Sequence, residues 1–496
     1  MPLTSQMGSR SVIPCVMNFQ FTAFMIATAI LLAGCANPVV YNSGSQFALK
    51  ENSFDSDHPS YSFLSFAERD RSPQLKPDLI VITLSGGGIR ASALAAAVMN
   101  EMQGFKIDGT SITNNVILVS STSGGSLAAA YVAVHGFNHY REFRANFLEK
   151  KNTMDLILSG LGPRLFYDRS AIFREFIERR LDLQSMTYGD LIQRNDRPFF
   201  IMNATDLSAG EAFSFVQRDF TAICTNLNAM PISVGATASG AIPFLLTDVE
   251  MTNRSKECES TNKNEALPTF YFSARDAVAK RYRYNLQHAY DDSAPNANRP
   301  RPRVIHLADG GLVDNLGVSG VGDVDIDAGS SLASQINPLA SVSPIRQLLL
   351  IEVNARNEKQ RNDLDQDYGS PGLLKMLGLT INIPIDRATS LSDSALQAGL
   401  QEVESIRPYL RNGVRKVQID FDLIGDDDAD LRKRVKSIGT SLSLTPSELA
   451  DLEKVARTLL RKSGCFARFI DESGAIADDY VSPGPKNVTG VAYDCP

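Results

Sequence analysis

DLIVITLSGGGIRASALAAAVMNEM, residues 78–102, decides how this chain folds. Residues 78–84 are a continuous apolar run with β-branched side chains, Gly86, Gly87 and Gly88 follow, and an alanine-rich stretch continues to Met102. A strand buried on both faces reads as an unbroken apolar run, consecutive glycines allow a tight turn, and alanine favours helix. The order repeats at residues 116–134, VILVSSTSGGSLAAAYVAV, as apolar strand, Ser-Gly turn and apolar helix. Two strand-turn-helix units in succession predict a parallel sheet covered by helices, the α/β class.

Further apolar strands are expected at 198–203, 212–216, 304–307, 347–353 and 417–421, so distant segments assemble the sheet. Polar stretches at 252–266 and 291–302 read as surface loops. Thr445-Pro446-Ser447-Glu448 is a capping box with proline in the first turn, and Gly464 is expected to stop that helix after Lys462. The resulting division is a tether over 35–75, a globular domain over 76–430 with insertions, and a C-terminal helical addition over 431–496 packed on the same core.

Hydrophobic residues at 43% and charged residues at 21% of 496 suit a folded chain and exclude a disordered or collagen-like one. A net charge of −7 argues against nucleic acid as a partner. With no basic tract to hold anionic headgroups, membrane contact requires apolar groups or a lipid. Residues 19–34 are an apolar run too short for a comfortable span, ending in Leu32-Ala33-Gly34-Cys35. This resembles a bacterial lipoprotein signal (residues 1–34) in which Cys35 is lipidated and becomes the first mature residue; the alternative is a short uncleaved anchor. Either places the remainder outside the cytoplasm, in the cell envelope. Beyond Cys35, the cysteines Cys224, Cys258, Cys465 and Cys495 permit three pairings. Cys224 with Cys258 and Cys465 with Cys495 is the expected one, each bond closing a loop worth about 3 kcal/mol; free buried cysteines are the alternative.

The turn Ser121-Thr-Ser123-Gly-Gly125 places Ser123 directly after a strand and before a helix. Such an elbow needs very small residues two positions either side, and it lifts the hydroxyl above the sheet at a helix N-terminus, where developing negative charge is stabilised. Gly86, Gly87 and Gly88 expose main-chain N–H groups at the same end of the sheet and are a candidate oxyanion hole. Arg90 lies in the first turn of the following helix, where the dipole disfavours a cation; an anionic partner such as a substrate phosphate, or a structural salt bridge, would account for it. Asp309 ends the run VIHLAD before Gly310 and Gly311, where a carboxylate can reach a serine on a neighbouring strand, though Asp-Gly is also an ordinary turn.

Taken together and in this order, Gly86-Gly-Gly-Ile-Arg90, the elbow at Ser123 and Asp309-Gly-Gly resemble the patatin-like phospholipases. Asn203-Ala-Thr-Asp206 and Ala238-Ser-Gly-Ala-Ile-Pro243 are similar to the family as well, and the departure is Ser121, where the family carries glycine. The resemblance spans about residues 78–316. It implies a three-layer α/β sandwich with a mostly parallel central sheet, and a serine lipid acyl hydrolase acting on lipid or phospholipid. Ser123 would be the nucleophile, Asp309 its base, Gly86–Gly88 the oxyanion hole and Arg90 a support for the site or the substrate phosphate, with no cofactor. The histidines agree with a Ser-Asp dyad, because none follows Asp309 as the Ser-acid-His order of α/β-hydrolases requires. His306 should face away from Asp309 and pack. Metal catalysis is not expected, since no His, Cys and carboxylate group has ligand spacing along the chain. Residues 154–166 and 373–385 are candidates for an acyl-chain groove or ordinary core. An acyltransferase with the same dyad, or an inactive lipid- or partner-binding protein, are the competing functions.

Overall fold

Seven buried residues in a row make β1 (Asp78–Leu84) a central strand, and the other apolar runs line up on either side of it. The computed structural model describes residues 39–50, 53–55, 57–69, 77–152, 155, 168–194, 196, 198–243, 245–254, 257, 303–321, 345–356, 385, 387, 389–394, 413–439, 442–481 and 495. Further strands are β2 (Val116–Thr122), β3 (Phe199–Asp206), β4 (Glu211–Ser214), β5 (Val249–Thr252), β6 (Val304–Asp309), β7 (Gln347–Asn354) and β8 (Val414–Asp420). They form one sheet in the order β8-β7-β1-β2-β3-β6-β5, with β4 also on β3. The five strands from β8 to β3 are parallel, whereas β4, β5 and β6 add antiparallel pairs.

Helix α1 (Gly88–Gln103) follows β1 and α2 (Gly124–His135) follows β2, and the two helices pack on each other. Almost every residue of α2 is buried, so it runs through the core rather than over it. The other main helices are α3 (Arg169–Arg180), α4 (Ile232–Ser239), α5 (Ala429–Ser437), α6 (Pro446–Lys462) and α7 (Gly464–Ser473). The capping box forms as read, with Thr445 accepting from the Glu448 N–H and the Glu448 carboxylate accepting from the Thr445 N–H. Gly464 does not simply end α6. Ser463 caps both helices, and Gly464 opens α7, which packs on β7 and β8. Cys465, in α7, is bonded to Cys495, and Cys224 is disulfide-bonded too, while Cys258 and Cys35 lie outside the described residues.

Two expectations change. Strand β5 carries no strong apolar run and was not foreseen; its Val249 and Met251 alternate inward while Glu250 faces outward, the pattern of a strand with one buried face. The stretch expected to tether the domain is docked on it at several described residues. Tyr61 and Phe63 are buried against Phe199, Tyr61 donates to the Phe200 carbonyl at 2.7 Å, and Asn42 bonds to Thr225 and to the Thr252 carbonyl. Aromatic burial of this size outweighs the polar composition that suggested a linker. Replacing Phe63 with alanine should therefore cost about 3–5 kcal/mol and lower the melting temperature by about 10 °C. Thermal unfolding followed by circular dichroism checks this, and a free tether would give no change.

Candidate active site

Ser123 sits where β2 turns into α2, with φ 52 and ψ −122, a strained backbone for a residue with a side chain. What holds it there is the absence of side chains nearby. A Cβ on Gly124 would lie 1.9 Å from the Gly88 carbonyl oxygen, so the two glycine turns are pressed directly together. The Gly124 carbonyl in turn accepts from Ser92 of α1. Ser121, two residues before the nucleophile position, is tolerated because its hydroxyl is fully engaged: it donates to the Ile201 carbonyl at 3.0 Å and accepts from Ser126 at 3.0 Å. The Ser126 hydroxyl lies 2.8 Å from that of Ser239 and can give its one proton to Ser239 or to Ser121, and the Ser239 hydroxyl accepts from the Ser123 N–H at 2.8 Å while donating to the Asn203 carbonyl. A buried chain of serines thus pins the elbow to β3 and to the end of α4. A polar group in such a place is stabilising only when fully bonded, as these are.

Asp309 reaches the same spot because β3 is longer than β2. Thr122, the last residue of β2, pairs with Asn203, and β3 continues to Asp206. Strand β6 runs antiparallel along that overhang, with Leu307 opposite Asp206 and Asp309 opposite Ala204, so it arrives from beyond the sheet and ends beside Ser123. The Asp309 main chain is held by a bond from its N–H to the Ala241 carbonyl and by Thr205, which donates to its carbonyl. One carboxylate oxygen accepts the Ser123 hydroxyl at 2.7 Å; the other accepts the Gly311 N–H at 2.8 Å. Both side chains are buried. Burial pushes the Asp309 carboxyl up to about 6, against the lowering effect of the bonds from Ser123 and Gly311.

The glycine loop divides. The Gly86 N–H is spent on the Asn315 carbonyl at 2.9 Å, which removes it as an oxyanion donor. The N–H groups of Gly87 and Gly88 have no acceptor among the described residues, and neither has that of Gly124. Gly87 at φ 136 and Gly88 at φ 63 take backbone conformations that favour glycine.

Arg90 is held as a clamp, the supporting role among those expected of it. Its Nε donates to the Ala355 carbonyl at 2.9 Å, its Nη1 donates to the Ile438 carbonyl, and the guanidinium lies over Phe421. The acceptors are main-chain carbonyls rather than the carboxylate of a salt bridge. Burial pulls its pKa down to about 10. It therefore ties the glycine loop to the C-terminal elements.

His306 also departs from expectation. It faces away from Asp309 but does not pack: its Nδ1 lies 2.5 Å from Asp248 and 3.9 Å from Glu250. Pairing of β5 with β6 brings together three possible metal ligands that are far apart along the chain. Sequence reading assigned no role to Ser239, Ser126 or Asn315. Ser239 stood inside a segment similar to the family, but only the contact with the Ser123 N–H gives it a task. Residues 154–166 and 373–385, the groove candidates, lie almost wholly outside the described residues.

Gly124→Ala should be destabilised and lose ester hydrolysis by at least about a hundredfold, because its methyl must displace the Gly88 carbonyl that sets the elbow. Gly439→Ala, where an added Cβ meets nothing within 4 Å, should leave both properties unchanged. Parallel melting curves and rates on a p-nitrophenyl ester test the pair.

Residues 82–321 match the family model of the patatin-like phospholipases. Among solved structures, a chain of human GIVD cytosolic phospholipase A2 is similar at 13% identity, covering 58% of this chain and 45% of that one with a TM-score of 0.30. The same human enzyme in complex with methyl gamma-linolenyl fluorophosphonate is similar at 9% identity, with 84% and 63% covered and a TM-score of 0.38. With terbium chloride also present, the values are 11%, 83%, 62% and 0.35. The chain thus spans less than two thirds of these solved chains. No curated protein sequence matches it.

Proposed function

We propose that this chain, whose residues 82–321 match the family model of the patatin-like phospholipases, is a serine lipid acyl hydrolase with Ser123 and Asp309 as its catalytic dyad and that it cleaves acyl esters of phospholipids at the cell envelope. The observation that carries the dyad is the buried 2.7 Å hydrogen bond from the Ser123 hydroxyl to Asp309. Among the described residues no histidine bonds to either group, and His306 is turned toward Asp248 instead.

The chemistry follows from these positions. Asp309 takes the hydroxyl proton as Ser123 Oγ attacks the ester carbonyl, and the N–H groups of Gly87, Gly88 and Gly124 face the oxyanion that develops. Collapse of the tetrahedral species breaks the ester bond; the departing alkoxide takes the proton from Asp309 and leaves an acyl group on Ser123. Water then gives a proton to Asp309, attacks the acyl carbonyl and releases a fatty acid, and the proton returns to Ser123. A carboxylate titrating near 6 is a far better base at neutral pH than an ordinary aspartate, and the buried setting supplies that shift.

Envelope anchoring through a lipid on Cys35 is supported by the apolar run before it and by the disulfide at Cys465 and Cys495, which suits an oxidising compartment. Val39 is already bonded to Asp168, and four residues reach at most about 14 Å, so the lipid would hold the β5 side of the domain close to the bilayer. Cys35→Ala is expected to move the protein from the membrane fraction to the soluble fraction on cell fractionation.

The dyad reading predicts that kcat/KM falls about tenfold per pH unit below about 6, since only ionised Asp309 accepts the proton. Stability runs the opposite way. The folded carboxyl is raised from 3.8, so the advantage of its protonated form is complete below pH 3.8 and disappears as pH rises through 6, roughly 3 kcal/mol in all. Asp309→Asn, which never ionises, should abolish fatty-acid release yet match or exceed the parent in stability at pH 7. Ser123→Ala should be equally inactive. Release of fatty acid from phosphatidylcholine vesicles, with denaturant melts at pH 5 and 7, tests both; activity retained by either variant would overturn the dyad.

A further inference from the structure

Away from the dyad, the outer face of the β5–β6 pair gathers a second chemical group. Glu250 stands directly opposite His306 in the antiparallel register, and Asp248 precedes Glu250 by two residues, so all three point to the same side. Val249 and Met251 take the other side and are buried, which fixes the strand against turning over. One donor atom from each of Asp248, Glu250 and His306 lies within 4.8 Å of the others. All three side chains are only partly exposed, so the group is neither sealed in the core nor spread on the surface.

The charges do not balance. Two carboxylates, Asp248 and Glu250, face the single imidazole of His306. Asp168, whose charge also bears on Glu250, is occupied, accepting from the N–H groups of Val39 and Ser170 and from the Thr247 hydroxyl. With one imidazole facing two carboxylates, the group is rich in negative charge, and among the described residues no Lys or Arg pairs with it.

We propose that Asp248, Glu250 and His306 form a binding site for a first-row divalent cation of the zinc type. Donors around a tetrahedral zinc ion stand about 3.4 Å apart. Reaching that spacing requires the His306–Asp248 contact to widen from 2.5 Å and the His306–Glu250 distance to shorten from 3.9 Å, changes within side-chain rotation on a fixed strand pair. One nitrogen and two carboxylates suit zinc, manganese or cobalt rather than calcium, which prefers an all-oxygen shell. The open side leaves room for water as the remaining ligand. His306 is three residues before Asp309 on the same strand, so the cation would brace the strand that carries the carboxylate of the dyad.

The test is isothermal titration of the purified chain with zinc chloride, beside His306→Ala, Glu250→Gln and the hydrolysis-deficient Ser123→Ala. One site per chain is expected in the parent and in Ser123→Ala, with affinity at least tenfold weaker in the other two. Saturating zinc should raise the parent's melting temperature by about 5 °C and leave that of His306→Ala unchanged. Calcium chloride should give neither signal. Absence of zinc binding in the parent, or equal binding by His306→Ala with its fold intact, would overturn the site. Because binding is read in Ser123→Ala as well, the result stands apart from whether the dyad is assigned correctly.

Discussion

The carbonyl oxygen of Gly88 and the α-carbon of Gly124 are so close that a single methyl group cannot fit between them. That contact joins the turn after β1 to the turn after β2, and the geometry of the site follows from it. It sets the Ser123 backbone at a strained φ and brings the amides of Gly87 and Gly88, which have no acceptor among the described residues, beside the serine. Strain of this kind persists only where the surroundings leave no alternative. Here the surroundings are Ser239 on the Ser123 N–H, the Ser121–Ser126 pair beneath, and Ser92 on the Gly124 carbonyl.

The carboxylate of the proposed dyad is delivered by a change of strand direction. A parallel strand after β3 would enter at the far end of the sheet and carry its C-terminal residue to the top. Strand β6 instead runs down the projecting end of β3 and stops at Asp309. Its approach leaves Gly310 and Gly311 to turn away at once, and the segment that follows covers the end of β2, where Thr122 donates to the Asp314 carbonyl and Ser120 to that of Gly317. Asn315 from this cover takes the Gly86 N–H. The same short segment therefore carries the carboxylate, binds the end of β2 and holds the glycine loop.

Burial of Asp309 is a stability loss that, under the proposed dyad, would supply reactivity. A carboxylate deep in the fold with two hydrogen bonds is costly when ionised, and that cost is what lifts its proton affinity toward neutrality. Arg90 illustrates the opposite use of a buried charge: anchored by carbonyls and the Phe421 ring, it ties the loop to elements more than 250 residues later. The C-terminal part is in this way joined to the site, although it contributes none of the dyad.

Local chemistry wrote much of this into the chain. Apolar runs ending in glycine turns determined the parallel strands and the helices that follow them, because burial on both faces and tight turns are properties of neighbouring residues. Ser123, Asp309 and the glycine loop were legible for the same reason, each standing at the end of its own strand. What the sequence alone could not decide depends on partners far along the chain. Gly86 loses its N–H to Asn315, Arg90 finds carbonyls instead of an anion, the polar stretch around Tyr61 docks, and His306 meets Asp248 and Glu250 only once β5 pairs with β6. A hydrogen bond or a ligand set belongs to a place in space, and only the tertiary structure brings those residues to it.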